Sequence, residues 1–151
     1  MKFQTLIRFV LIALRLFPPI ATNSRMANKD TVIPVGGGPD GNSPLFVARN
    51  NVVTYSTFVM HRRPELFGPD ALEFLPERWE ELRPGWEYLP FNGGPRICPG
   101  QKFAMIEASY TVARLLQAFS RIENLDTEDF KEHITLSLTL DNGVKCRLVP
   151  T

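Results

Sequence analysis

The stretch Phe91-Asn-Gly-Gly-Pro-Arg-Ile-Cys-Pro-Gly100 places one cysteine two residues after an arginine, in a glycine- and proline-rich loop that leads into an apolar segment beginning at Gln101. The unpaired backbone N–H groups that open a helix, and the positive end of its dipole, favour negative charge on Cys98. Gly94 and Gly100 carry no Cβ and let the backbone come close to something flat and bulky. Arg96 adds a fixed positive charge suited to a carboxylate. A single thiolate is too little for a lone divalent ion. It suffices for a cofactor that brings its own ring nitrogens and needs only one axial ligand.

The other reactive side chains offer less. His61 and His133 stand alone, without the spacing or clustering that metal binding requires, and read as surface or hydrogen-bonded histidines. Cys146 alternates with Val144 and Leu148 and reads as a small buried hydrophobe on a strand. Gly36 to Gly41 satisfies G-x-G-x-x-G, yet Pro39, Asn42, Ser43 and Pro44 preclude the helix that a pyrophosphate needs at that turn, so a hairpin tip is expected. Lys and Arg total 17 against 16 for Asp and Glu, which gives no pull towards nucleic acid or an anionic membrane, and no nucleic-acid partner is expected. Two cysteines far apart supply neither a thiolate-rich metal site nor a disulfide framework, which points to a reducing, intracellular-facing environment.

The elements that must position the cysteine are legible in outline. The chain is long enough for one domain, 1–151. The N-terminal segment is apolar but interrupted by Arg8 and Arg15, too short in its apolar run for a signal peptide or a bilayer span, and it reads as a helix ending at Pro18-Pro19. A start assigned to the wrong codon is an alternative, in which case residues 1–10 are unrelated to the rest. Thr31-Val-Ile and Leu45-Phe-Val read as a hairpin joined by a long loop, and Asn51 to Met60 as a strand passing into a short helix. Residues 62–95 are studded with proline and show little periodicity. Gln101 to Phe119 has apolar residues around most of a helix circumference, so a helix buried on nearly all sides is expected. Ile134, Leu136, Leu138 and Leu140 alternate with polar residues, and with a turn at Asn142-Gly143 they read as a hairpin with Val144, Cys146 and Leu148.

Phe91, Gly94, Arg96, Cys98 and Gly100 resemble the haem-binding signature F-x-x-G-x-R-x-C-x-G of the cytochrome P-450 monooxygenases. Phe74-Leu-Pro-Glu-Arg-Trp79 resembles the family's P-E-R element, and Leu14-Arg-Leu-Phe-Pro-Pro19 the end of its K helix. The resemblance covers roughly Leu14 to Pro150 and implies a mainly α fold with small β-sheets (α+β), corresponding to the C-terminal third of the family's domain: K helix, small sheet, meander, cysteine loop, L helix and terminal hairpin. The wording is closest to the fungal microsomal branch that hydroxylates n-alkanes and fatty acids. It implies haem b as cofactor, Cys98 as the axial ligand of its iron, Arg96 and Arg25 as partners of its propionates, and Phe91 as a shield for the sulfur. Ile20, Ala21 and Thr22, with Leu138 and Leu140, fall where relatives line an apolar substrate pocket. Molecular oxygen, a flavoprotein reductase and the cytoplasmic face of the endoplasmic reticulum membrane complete the implied setting.

Two departures stand beside the resemblance. The family's E-x-x-R glutamate position is Ile12, so Arg15 and Arg78 share a network without its carboxylate, for which Glu73 or Glu77 is the nearest substitute. The long central helix that relays protons to oxygen in the family has no counterpart in this sequence, and an inactive truncated chain or a haem-free remnant are the expectations that follow.

Overall fold

The computed structural model describes residues 3–128 and 131–150. Its contacts fall into two units, Thr22–Ser56 and the combination of Met1–Ala21 with Thr57–Thr151. As the resemblance implies, helices are combined with small antiparallel sheets, each of two strands among the described residues.

In the unit Thr22–Ser56, β1 (Thr22–Met26) pairs with β4 (Val52–Ser56), Thr22 opposite Ser56. Strand β2 (Thr31–Gly37) pairs with β3 (Ser43–Val47), with a register shift between Ile33 and Gly37. The glycine run belongs to this hairpin. Gly38 and Gly41 have φ of 76° and 71°, and a Cβ on Gly37 would lie 2.5 Å from the Pro44 carbonyl oxygen. Asp40 accepts the Asn42 N–H at 3.2 Å, closing the tip as an Asx turn. No helix follows Gly41, and the hairpin-tip reading of G-x-G-x-x-G holds.

The other unit begins with α1 (Phe3–Leu16), a helix free of glycine and proline that stops ahead of Pro18-Pro19 as expected. It buries Leu6, Val10, Ile12, Arg15 and Leu16. After β4 come the short helices α2 (Thr57–Met60) and α3 (Pro64–Phe67), then a 3₁₀ turn over Pro76–Glu80. Helix α4 (Gln101–Ala118) packs against α1 and ends where β5 (Phe119–Asn124) begins.

Three expectations are corrected in this unit. Helix α4 is not enclosed on nearly all sides: of its residues only Ser109 is buried, and Phe103, Ile106 and Tyr110 are about two-thirds exposed because α1 covers a single face. The terminal hairpin is shorter than the alternation suggests, with β6 (Glu132–Ile134) turning through 135–137 to pair with β7 (Leu138–Leu140). Strand β8 (Cys146–Pro150) returns instead to β5, Cys146 opposite Asn124. Cys146 is exposed rather than buried, since alternation places it on a face that nothing covers.

The centre of this unit combines an apolar cluster with a buried cation. Ile12, Leu16 and Trp79 form the cluster, and Leu11, Leu82 and Tyr88 pack against it. Beside it the Arg15 side chain is fully buried and donates to the carbonyls of His61 (2.7 Å) and Glu73 (3.3 Å). Its guanidinium also lies over the Phe67 ring, 4.9 Å from the centroid. Burial, with Arg78 and Arg62 nearby, pulls Arg15 below the ordinary guanidinium value to about 10, and it stays charged at neutral pH. Arg78 donates to the carbonyls of Phe67 and Asp70 and pairs with the Asp70 carboxylate at 2.9 Å. The compensating acid is therefore Asp70. Glu73 contributes only its backbone carbonyl, and Glu77 is exposed. Ile12 puts hydrocarbon where the resemblance expects a glutamate, and the Nε groups of Arg15 and Arg78, with Trp79 Nε1, are buried donors without a partner among the described residues.

His61 closes the arrangement. The ring is fully buried, with Nδ1 3.1 Å from the Arg15 carbonyl oxygen and Nε2 2.8 Å from the Leu89 backbone nitrogen. A carbonyl can only accept and an amide N–H can only donate, so the proton sits on Nδ1 and Nε2 accepts. Burial, reinforced by Arg15 and Arg62, lowers the imidazole from 6.5 to about 4.

Two outcomes follow. Above about 6.5 the folded and unfolded chains both hold neutral His61. As pH falls towards 4 the unfolded chain takes up the proton first, so stability declines across that window by about 3 kcal/mol. Urea midpoints measured through this range for the unmodified chain and His61→Phe should converge as the pH falls; a constant difference contradicts the assignment. Asp70→Asn should lower the midpoint at neutral pH while Glu77→Gln leaves it unchanged, and the reverse order would return the compensating role to Glu77.

Candidate functional site

The cysteine loop is held by its own backbone. Asn92 and Gly94 take positive φ, 64° and 67°, and a 3₁₀ turn spans Gly94–Arg96. The Ile97 N–H reaches back to the Gly94 carbonyl at 3.1 Å, and the Cys98 N–H to the Phe91 carbonyl at 2.9 Å. The loop is thus pinned at the two residues that begin and end the motif's core. Gln101 N–H donates to the Cys98 carbonyl and Ala104 N–H to the Gly100 carbonyl, which carries the chain into α4 without a side-chain cap.

The glycines have separable reasons. Gly94 needs its positive φ, which an L side chain rarely adopts. Gly93, which the motif leaves free, has no room for a side chain: a Cβ there would lie 2.6 Å from the Trp86 ring. The signal for Gly93 was present only as a doubled glycine. A Cβ on Gly100 would meet the Cys98 Sγ at 3.8 Å, so the glycine leaves the flank of the sulfur uncovered.

Cys98 is a free, exposed thiol, and Arg96 beside it in sequence is exposed as well. Phe91 is half-buried and, with Leu11, Tyr88, Pro90, Asn92, Ile97, Gln101 and Met105, lines a small cavity of about 140 Å³ behind the loop. Among the described residues no three His, Cys, Asp or Glu side chains gather to hold a metal ion. The donor set is thus one exposed, free thiol residue, an exposed arginine two positions before it in sequence and a loop relieved of side-chain bulk. It fits a planar macrocycle that supplies its other metal ligands and carries carboxylates.

The remaining candidate residues are placed as follows. Leu138 N–H donates to the Pro19 carbonyl at 2.7 Å, which brings the start of β7 to the segment after α1 that contains exposed Ile20 and buried Ala21. Thr57 Oγ1 donates to the Ile20 carbonyl at 2.6 Å and holds that segment. Leu138 and Leu140 are half-buried. Thr22 and Arg25 lie on β1 in the other unit; both are exposed, and Arg25 donates to the Ser24 carbonyl at 2.8 Å. Sequence reasoning missed the depth of His61 and the role of Asp70. Neither sits in a motif whose chemistry announces it.

No described helix is long and apolar enough to cross a membrane. Comparison with known proteins gives a consistent result. The family model for cytochrome P-450 matches residues 13–144. A cytochrome P-450 monooxygenase, g430, of a Fusarium species is 57% identical over 136 residues, covering 89% of this chain and 24% of the relative. Cytochrome P-450 52E1 of Candida apicola is 47% identical, covering 97% of this chain and 30% of the relative. Cytochrome P-450 52A13 of Debaryomyces hansenii is 52% identical over 128 residues, with 84% and 25% covered. Among solved structures, a cyanobacterial relative with retinoic acid bound superposes with a TM-score of 0.80 at 26% identity, over 97% of this chain and 32% of its own. The chain thus spans roughly a quarter to a third of the length of the proteins it matches. With the matched model running from the second half of α1 through the cysteine loop and past β7, the chain belongs to the cytochrome P-450 family.

Proposed function

We propose that Cys98 is the axial thiolate ligand of a haem b, and that the protein of which this sequence is a part hydroxylates an apolar substrate, a fatty acid or n-alkane. Oxygen is the co-substrate, and a flavoprotein reductase at the cytoplasmic face of the endoplasmic reticulum membrane supplies the electrons. The observation that carries the reading is the free, exposed Cys98 on a loop pinned from Phe91 to Cys98, with Arg96 two residues before it. The bound haem would supply the oxygen-cleaving chemistry.

The roles of this chain's residues follow from their types. Cys98 would hold the haem iron through its thiolate, whose electron release would favour the oxygen-cleaving chemistry that the haem supplies. Arg96 holds a propionate by a charge-assisted hydrogen bond, and Arg25 is a second such partner. Phe91 keeps water from the sulfur, while Gly94 and Gly100 keep side chains off the macrocycle. Ile20, Ala21 and Thr22, with Leu138 and Leu140, contribute an apolar wall suited to an alkyl chain. The sequence likeness to the hydroxylases of fatty acids and alkanes supports that substrate class. Because the chain spans so small a share of its relatives, haem binding is proposed for the chain alone and turnover only for the whole protein.

A second reading, a haem-free remnant, is favoured by one observation: Ile12 leaves Arg15 without a carboxylate and two arginine Nε groups without partners. Equilibrium titration of the chain with haem separates the two. Saturable binding is expected, weakened at least about tenfold by Cys98→Ala and by a similar factor in Arg96→Leu. Titrations of the chain and both variants that superimpose would favour the remnant. Added long-chain fatty acid should then shift the haem spectrum of the full-length protein, whereas small polar acids should not.

A further inference from the structure

A chain of hydrogen bonds leads from the buried arginine to the cysteine loop, and His61 is the link between them. Its Nδ1–H donates to the last turn of α1, at the Arg15 carbonyl, while the Arg15 guanidinium donates back to the His61 carbonyl at 2.7 Å. On the other side of the ring, Nε2 accepts the Leu89 N–H. The Leu89 carbonyl accepts the Asn92 N–H at 3.2 Å, and the Phe91 carbonyl between them accepts the Cys98 N–H at 2.9 Å. The Tyr88 ring lies 5.3 Å from the His61 ring, and its hydroxyl donates to the Leu11 carbonyl at 3.0 Å. The segment that enters the cysteine loop is therefore fastened at two adjacent residues, Tyr88 directly to α1 and Leu89 to α1 through His61.

We infer that His61 is a positioning residue for Cys98. It fixes the Leu89 backbone against α1 and thereby fixes the Phe91 carbonyl that holds the cysteine's own N–H. The functional meaning of this rests on Cys98 being the haem ligand; the mechanical link does not.

The chemistry explains why a histidine occupies the position. The site offers one acceptor and one donor on opposite sides of a flat, enclosed slot. Neutral imidazole presents a donor and an acceptor at that separation. Phenylalanine fills the slot but satisfies neither group, leaving the Leu89 N–H and the Arg15 carbonyl buried without partners. Protonated imidazole donates at both nitrogens and opposes the Leu89 N–H with another N–H. The groups around the ring resist that protonation: Arg15 from α1 and Arg62, the next residue, are cationic, while the Tyr88 hydroxyl from the segment before the cysteine loop and the Phe67 ring from α3 are neutral. Burial raises the Tyr88 hydroxyl further above its ordinary value, so it stays protonated throughout the range in which His61 titrates.

The test is amide hydrogen exchange on the haem-free full chain, with peptides covering 85–98, beside Cys98 ligation in the haem-loaded chain. In His61→Phe the 85–98 segment should exchange about tenfold faster or more, while Thr22–Ser56 is unchanged. Tyr88→Phe, which keeps the ring stack and removes one tether, should have a smaller effect. In the unmodified chain, lowering the pH towards 4 should release 85–98 before Thr22–Ser56, with exchange corrected for its intrinsic pH dependence; this holds even where His61→Phe fails to fold. With haem supplied, His61→Phe should shift the ferric spectrum from thiolate towards thiol or water ligation. Unchanged exchange in 85–98, in the variant and on acidification alike, overturns the proposal. A chain that shows the exchange effects but binds no haem refutes the haem assignment and leaves the His61 link standing.

Discussion

The unit that carries the cysteine depends on one buried cation. Arg15 sits fully enclosed at the end of α1, and among the described residues no carboxylate forms an ion pair with it. Its charge is met by two backbone carbonyls and the face of Phe67, an arrangement that leaves Nε without a partner. Taking a guanidinium out of water is costly unless its donors are met, so the carbonyls of His61 and Glu73 must be held where they are. That requirement fixes the residues just after α2 and those leading to the 3₁₀ turn, neither of which has periodic structure of its own.

The same requirement shapes what lies next to it. Arg78, coulombically opposed to Arg15, turns to Asp70 and to the carbonyls of Phe67 and Asp70, and so organises the loop between α3 and the 3₁₀ turn. Trp79, on that turn, packs with Ile12 and Leu16 and joins it to α1. Ile12 thus does two things: it removes the acid that would have paired the arginines, and it strengthens the apolar contact that brings them together. The cysteine loop is built on this frame, its entry strung between Leu11 and His61 and its interior closed by the bond from Cys98 to Phe91.

Local chemistry made much of this visible in the sequence. The cysteine motif, the proline stop of α1, the glycine hairpin tip and the beginning of α4 are each dictated by residues a few positions apart, and each is found. The terminal pairing is not legible in the sequence because alternation reports which residues share a face, not which strand they meet; β8 pairs with β5 across more than twenty intervening residues. Cys146 was placed indoors for the same reason. The apolar circumference of α4 is visible as composition but does not fix burial, since burial depends on the neighbours present. His61 and Asp70 escaped because their partners are backbone groups or an arginine made adjacent only by folding.

The proposed haem thiolate requires a loop that this chain can hold by itself around Cys98. The ferrous–CO difference spectrum of the haem-loaded chain tests it most directly, with Cys98→Ala as the control. The account predicts a strongly red-shifted Soret band that the control lacks. A band at the ordinary position in both, or none in either, would contradict it.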